Sequence, residues 1–283
     1  MGEQKFVHTN GIQLAYIDHG GEGEPLILMH GLSANCHHFD GLIAAGLTQH
    51  ARVLAVDLRG RGLSDKPAGA VYSPEDHARD IVGMMDALGL ERANIGGHSY
   101  GGLMTIYLGA NYPERVKKMV ILDAGVMHPA VKDLIAPALK RLGQPVASFE
   151  AYLASMKQIP AYHQGMWNEH IVAYYRADVA DLPDGRVLPR SSAEVIGAAV
   201  DQILEVDWNA TMPKATEPAI LIHGTEGVGP APTPPVLTDD GAQQTLAMLP
   251  NCRYVRVAGN HYTMLYESAG AQVVSAIGAF LAG

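Results

Sequence analysis

The sequence predicts an α/β fold built on a mostly parallel sheet. Short apolar runs, each too short for a helix, alternate along the chain with longer segments of helical periodicity. These runs are apolar throughout, which is typical of strands buried on both faces of a parallel sheet. We therefore expect a mostly parallel, eight-stranded sheet flanked by helices, with an inserted helical cap.

Length and composition indicate a compact enzyme-sized chain. Its 283 residues are 48% hydrophobic and 17% charged, which suits one domain with a lid. The net charge of -9 disfavours nucleic acid and anionic membrane as partners. Without a long apolar run or a signal-like start, we expect a cytoplasmic protein. Cys36 and Cys252 are expected to be reduced thiols.

The strands are predicted from the apolar runs in chain order. Residues 5–9 and 13–18 flank Asn10-Gly11, a strong hairpin signal, so we expect an antiparallel edge hairpin there. The six following strands are predicted at 26–29, 53–56, 94–96, 119–122, 219–222 and 254–257.

A helix is predicted over 74–88. Ser73 can cap it, Pro74 suits its first position, and Gly89 follows its last apolar residue. Apolar residues within it recur at three- and four-residue spacing. Helices are also expected at 100–111 and 271–281.

The alternation of strand and helix stops for about ninety residues after the strand at 119–122. Helical pieces in this stretch are predicted at 131–142, 149–158, 166–175 and 193–202. We interpret 126–213 as a helical cap, inserted in a core formed by 1–125 and 214–283.

The stretch Gly97-His98-Ser99-Tyr100-Gly101 predicts a nucleophile. It matches Gly-X-Ser-X-Gly, and it lies between a predicted strand and a predicted helix, the context that this motif requires. Glycines two positions to either side of Ser99 allow the two backbones to approach. Ser99 is therefore expected on a sharp turn with its hydroxyl exposed.

Acyl transfer by a serine requires oxyanion donors and a base. His30-Gly31-Leu32 follows an early buried strand, so we expect the N–H groups of Leu32 and Tyr100 to form the oxyanion hole. His261 follows the last predicted strand and is expected to be the base. His98 is expected to point away from Ser99, and His223 to be packed.

Two carboxylates are candidates for orienting His261. Asp123 ends the strand after the Ser99 helix, and Glu226 follows the strand at 219–222. Both strands are expected to end at the carboxyl edge of the sheet, where α/β enzymes place their sites.

The chain resembles the α/β-hydrolase fold superfamily over nearly its whole length. His30-Gly31, the loop 57–65, the turn around Ser99 and Gly259-Asn260-His261 stand in the family's order. Many members place the acid where this chain has Gly227, whereas others place it after the sixth strand, as at Asp123. The resemblance thus favours Asp123 over Glu226, and Ser99 argues against the Asp nucleophile of epoxide hydrolases and haloalkane dehalogenases. The loop 57–65 is expected to be structural, with Arg59 and Arg61 tied to carboxylates.

Together these features predict a serine hydrolase that cleaves an ester, lactone or amide of a small, moderately apolar molecule through an acyl-enzyme. A carbon–carbon bond hydrolase and a ligand-sensing receptor of the same fold are the alternatives. Tyr152, Tyr162, Met166 and Trp167 of the cap are the candidate substrate contacts.

We expect no cofactor and no metal site. The adjacent pair His37-His38 lacks further ligands in the sequence around it, and adjacent residues rarely converge on one ion. The expected partner is the small-molecule substrate. The protein partner considered is a second copy of the chain, in a homodimer.

Overall fold

A computed structural model describes residues 2–126, 133, 136 and 139–283. Its main sheet has eight strands in the order β1-β2-β4-β3-β5-β6-β9-β10. β1 and β2 pair antiparallel, β2 and β4 pair antiparallel, and the remaining neighbours are parallel. The predicted fold class is confirmed. The strands are β1 (Glu3–Thr9), β2 (Ile12–Gly20), β3 (Pro25–Met29), β4 (Arg52–Val56), β5 (Ala93–His98), β6 (Val116–Leu122), β9 (Ala219–Glu226) and β10 (Cys252–Asn260).

The helices flank this sheet and fill the insertion between β6 and β9. In chain order they are α1 (Asp40–Ala44), α2 (Pro74–Ala87), α3 (Tyr100–Asn111), α4 (Phe149–Met156), α5 (Glu169–Asp178), α6 (Ala193–Leu204), α7 (Trp208–Thr211), α8 (Asp239–Met248) and α9 (Glu267–Ala282). Six of the twelve residues of the helix predicted at 131–142 lie outside the described residues. Among those described, no helix is long and apolar enough to cross a membrane.

The start of α2 shows how the sequence sets a boundary. Ser73 Oγ accepts the N–H of Asp76 at 3.1 Å, and the Asp76 carboxylate accepts the N–H of Ser73 at 3.2 Å. This reciprocal capping satisfies two backbone donors at the helix end. α2 therefore begins where Pro74 predicts and ends one residue before the predicted end.

The core divides between the two faces of the sheet because successive strand residues point to opposite sides. In β3, Ile27 and Met29 belong to one apolar cluster, and Leu26 and Leu28 belong to the other. All four are fully buried. Burial on both faces explains why these strands are apolar throughout and end in a shared carboxyl edge.

The insertion also contains a small hairpin that the sequence analysis missed. Strands β7 (Val179–Asp181) and β8 (Val187–Pro189) pair antiparallel. Three residues are too few to show an alternating pattern, but Asp184-Gly185 between them is a turn signal, and Gly185 has φ +86°. The domain boundaries given above stay a prediction.

Candidate active site

Ser99 lies on a sharp turn between β5 and α3. Its φ of 56° and ψ of -117° are unusual for a residue with a side chain. A Cβ on Gly101 would lie 1.9 Å from the carbonyl oxygen of Met29, so the following helix packs against β3 only with glycine there. The N–H of Ser99 donates to the carbonyl of Leu122 at 2.9 Å. This turn holds Ser99 at the carboxyl edge of the sheet.

His261 is hydrogen-bonded to Asp123. Its Nδ1 donates to Asp123 Oδ2 at 2.6 Å, and Asp123 Oδ1 accepts the N–H of Gly224 at 3.0 Å. Asp123 is fully buried, directly after β6. Because a carboxylate only accepts, the ring proton lies on Nδ1 and the lone pair on Nε2. His261 is thereby in the tautomer that a general base needs.

Ser99 and His261 line one cavity beneath the insertion. Glu226, the alternative acid, is exposed at the end of β9, and its carboxylate forms no hydrogen bond or ion pair with any described residue. The structure thus brings together Ser99, His261 and Asp123. The cavity is lined by Gly31, Leu32, Ser33, Ala34, His38, His98, Ser99, Leu139, Arg141, Ile159, Tyr174, Tyr175, His261 and Tyr262.

The two predicted oxyanion donors lie beside this cavity. Leu32 lines it, and Tyr100 is the first residue of α3, directly after Ser99. Neither backbone N–H donates to another residue in the described part of the chain. The first N–H groups of a helix have no partner within it, which leaves that of Tyr100 available to a ligand.

Arg61 contacts the loop that contains Leu32 from the core side, and the expectation that it pairs with a carboxylate was wrong. Its Nε donates to the carbonyl of Leu32 at 2.9 Å, and its Nη1 contacts the Arg59 carbonyl and His77 Nε2. Arg61 is fully buried and forms no ion pair among the described residues. Burial accordingly lowers its pKa. Arg59 does pair with a carboxylate, that of Asp80, at 2.6 Å.

Arg141 holds the next residue of that loop from the side of the insertion. It donates to the carbonyl of Ser33 at 2.7 Å and to Asp178 Oδ2 at 2.8 Å. Tyr152 also donates to Asp178 Oδ2. Burial alone would lower the pKa of Arg141, but the charge of Asp178, its hydrogen bond with Arg141 and the neighbouring Tyr152 and Tyr174 together raise it well above its usual value. No motif pointed to Arg141, so the sequence analysis missed it.

A pair of buried histidines forms another part of the cavity wall. His38 Nε2 and His98 Nδ1 are 3.0 Å apart, and the His98 ring centroid lies 4.4 Å from that of His261. Burial lowers the pKa of His38 to about 3 and that of His98 well below its usual value. His98 thus lines the same cavity as Ser99, whereas the sequence analysis expected its side chain to point away from that residue. His223 is packed, bonded to Tyr254 and Leu237.

The four predicted cap contacts lie behind the cavity wall, and none of them is among the lining residues of the described chain. Tyr152 is fully buried on Asp178, and Tyr162 accepts a hydrogen bond from the Tyr175 hydroxyl at 3.0 Å. Trp167 stacks on Tyr175 at 5.7 Å, and Met166 packs in the same apolar cluster. Tyr162 and Trp167 thus pack against the lining residue Tyr175.

Comparison with known proteins decides the family. A family model for the alpha/beta hydrolase fold matches residues 24–164. The chain belongs to this superfamily. The match establishes the fold family of the chain.

Similar proteins are hydrolases and a related decarboxylase. This α/β hydrolase is 29% identical to 2-(acetamidomethylene)succinate hydrolase of Mesorhizobium japonicum, over 72% of this chain and 71% of the relative. It is 35% identical to 2-hydroxymuconate semialdehyde hydrolase of a Pseudomonas species, over 41% and 42%. It is 34% identical to cis-3-alkyl-4-alkyloxetan-2-one decarboxylase of Shewanella oneidensis, over 47% and 42%. The chain thus spans less than half the length of these last two relatives.

Solved structures show the same fold. The crystal structure of E-2-(acetamidomethylene)succinate hydrolase superposes with a TM-score of 0.85 at 23% identity, covering 100% of both chains. The enol-lactonase of Burkholderia xenovorans superposes with a TM-score of 0.75 at 22% identity, covering 99% of this chain and 100% of that one.

Proposed function

We propose that this α/β hydrolase cleaves an ester or a related acyl bond, a lactone or an amide, of a small molecule. The observation that carries the proposal is the bond from His261 to Asp123 on the wall of the cavity that holds Ser99. A strained turn presents the nucleophile, and a buried carboxylate fixes the base in its working tautomer.

The residues would act in two stages. In the first, Ser99 Oγ attacks the acyl carbon while its proton passes to His261 Nε2, and Asp123 stabilises the resulting imidazolium. The N–H groups of Leu32 and Tyr100 bind the oxyanion of the tetrahedral intermediate. As the bond to the leaving group breaks, His261 gives that group its proton, which leaves an acyl-enzyme.

Water completes the reaction. His261 Nε2 takes a proton from a water molecule, whose oxygen attacks the acyl carbon, and the N–H groups of Leu32 and Tyr100 again bind the oxyanion. Collapse releases the carboxylic acid and returns the proton to Ser99. No atom beyond those of substrate and water is required.

The cavity lining supports a small, partly apolar substrate. Ile159, Tyr174, Tyr175 and Tyr262 form its apolar and aromatic wall, and Arg141 adds a cation. Such a lining gives shape selectivity with a few polar contacts. Amides belong in the substrate class because two relatives that match over most of their length are 2-(acetamidomethylene)succinate hydrolase and N-formylmaleamate deformylase, at 29% and 28% identity.

The test combines active-site labelling with a substrate panel. A fluorophosphonate should label the wild-type chain at Ser99 and leave Ser99→Ala unlabelled, and a panel of small esters, lactones and amides should show turnover. Ser99→Ala should lower kcat by roughly 10⁴-fold or more. Ser275→Ala, at an exposed position on α9, is the matched control and should retain full activity. A Ser99→Ala protein that keeps a large share of turnover would refute the proposal.

Carbon–carbon bond hydrolysis is the second candidate. It is supported by the similarity to 2-hydroxymuconate semialdehyde hydrolase described above, which extends over 41% of this chain. The same panel distinguishes the two when a vinylogous diketone is added. Turnover of the diketone with no turnover of simple esters, lactones or amides would favour the carbon–carbon reaction.

A further inference from the structure

A second cavity, of about 420 Å³, lies between the insertion and the amino-terminal half of the core. Its polar and charged lining residues are Gln4, Asn35, His37, Asp57, Arg176 and Arg190. Within the described residues, none of Ser99, Asp123 and His261 lines it. Its volume is in the range of small-molecule sites, about 300–1,000 Å³. We call it the Arg190 cavity.

Arg190 stands in this cavity without an acceptor for its guanidinium. Its backbone N–H donates to the carbonyl of Asp178 at 2.8 Å, which fixes the residue at the end of the hairpin. The Nε atom is buried and has no hydrogen-bond partner, and no carboxylate in 2–126 or 139–283 forms an ion pair with the side chain. A guanidinium carries five N–H donors, and a buried donor without an acceptor is costly. This arrangement indicates a missing acceptor.

The other charges around the cavity already have partners. His37 contacts Asp40 at 2.8 Å, and Arg176 pairs with Asp181. Asp57, the one carboxylate on the wall, accepts the N–H groups of two loop residues at 2.7 and 2.8 Å.

Lys66 adds a second positive charge close to Arg190. Its Nζ donates to the carbonyls of Gly62 and Ser64, at 2.9 and 3.0 Å. Burial lowers the pKa of Lys66, Arg190 lowers it further, and Asp57 opposes both effects.

We propose that the Arg190 cavity binds a small organic anion through a carboxylate or phosphate group. The guanidinium is planar and presents paired donors that match two oxygens of such a group. The ligand would supply the acceptor that Arg190 lacks and would neutralise its charge. Gln4 lines the same cavity and offers its Oε1 as an acceptor for the rest of the ligand, whereas the Asn35 amide is already bonded to the Tyr174 carbonyl and the N–H of His37.

The Arg190 cavity shares two walls with the catalytic cavity. The segment after β3 contributes Asn35 to the first and Leu32 to the second, while α5 contributes Arg176 to the first and Tyr175 to the second. A bound anion would therefore contact the segment that presents the oxyanion donor. Any effect on catalysis rests on the proposed function, but binding itself does not.

Binding is measured by calorimetry on the full chain with two probes, inorganic phosphate and succinate, against sodium chloride at equal ionic strength. Wild type and Ser99→Ala should bind one of the probes with equal Kd, because the cavity is separate from Ser99. Arg190→Gln should raise the Kd for that probe at least tenfold. The probe that binds identifies phosphate or carboxylate as the recognised group.

Arg186→Gln is the matched control, since Arg186 lies on the same hairpin, is exposed and pairs with Asp184 at 2.7 Å. It should bind as wild type does.

If Arg190→Gln does not fold, Arg190→Lys replaces it and should still weaken binding, because the charge remains while the paired donors are lost. The proposal is overturned by equal binding in wild type and the Arg190 variant, by no saturable binding of either probe, or by loss of binding once Ser99 is labelled. Because Ser99→Ala is inactive under the proposed function yet should bind, failure of one proposal is distinguishable from failure of the other.

Discussion

Asp123 and His261, 138 positions apart in the chain, are joined by a hydrogen bond of 2.6 Å. Each follows a strand of one parallel sheet, so their meeting is a consequence of the shared carboxyl edge. The second oxygen of Asp123 is held by the N–H of Gly224, which directs the carboxylate at the imidazole ring.

We expect Asp123→Asn to lower kcat by on the order of 10⁴-fold, because an amide favours the wrong imidazole tautomer. Glu226→Gln is the matched control and should leave kcat within twofold of wild type, since Glu226 is exposed. Steady-state kinetics on the best substrate of the panel, with fluorophosphonate labelling rates, measure both. A collapse of activity in Glu226→Gln alone would show that the acid is misassigned.

Arg61→Met should lower kcat about tenfold to a hundredfold with a smaller effect on KM. The expected loss is below the roughly 10²–10³ that removal of an oxyanion donor costs, because Arg61 holds Leu32 through its carbonyl. Arg61→Lys, which keeps the charge, should recover part of the loss. Arg59→Gln is the control, since it breaks the buried pair with Asp80 and should lower stability while kcat of the folded protein is kept. Equal loss of kcat in the Arg59 and Arg61 variants would contradict a positioning role.

Stability should decrease as the pH falls from 6.5 towards 4. Burial lowers the pKa of His30 from 6.5 to about 4, while its Nε2 accepts the N–H of Leu58 and its Nδ1 donates to the Gly31 carbonyl. Between pH 6.5 and 4, His30 therefore becomes protonated in the unfolded chain but stays neutral in the folded protein. Above pH 6.5, His30 is neutral in both the folded and the unfolded state, so its full contribution to the free energy of unfolding is present. By pH 4, up to about 3 kcal/mol of that free energy is lost.

Urea unfolding at a series of pH values measures the slope of the free energy of unfolding against pH. His30→Gln should be less stable overall and should show a shallower slope, by about one proton. His8→Gln, at an exposed position, should leave the slope as it is in wild type. An unchanged slope in His30→Gln would show that other groups carry the acid sensitivity.

Gly101→Ala should cost several kcal/mol of unfolding free energy, because its Cβ would lie 1.9 Å from a backbone oxygen of β3. Gly197→Ala is the opposite case. Gly197 lies within α6 with nothing within 4 Å of an added Cβ, so the substitution should stabilise by up to about 1 kcal/mol. Thermal and urea unfolding compare the two variants, and a harmless Gly101→Ala would mean that the helix can move away from β3.

The sequence is informative wherever a local pattern sets the structure. Apolar runs predict the strands, and the glycines around Ser99 predict the turn, because both follow from backbone geometry. The meeting of Asp123 with His261 required only that two strands share one edge. The roles assigned to these residues remain predictions that the experiments above test.

What the sequence does not reveal depends on contacts between distant segments. Arg61 lies in a loop with carboxylates nearby in sequence, yet it bonds to a carbonyl of another loop. The three predicted cap aromatics and Met166 lie behind the cavity wall, because the packing of the whole insertion decides which side chains meet the cavity. Such positions have no local signature.

Arg141 reaches from the insertion to the Ser33 carbonyl, so the insertion that lines one side of the cavity also holds the loop next to Leu32. A chimera that received the insertion of another family member would change its substrate range and would also lose the hydrogen bond from Arg141 to the Ser33 carbonyl. Transplants between relatives would therefore need to carry a matching arginine and aspartate, and a chain trimmed to its bare sheet and flanking helices would be a poor starting point for redesign.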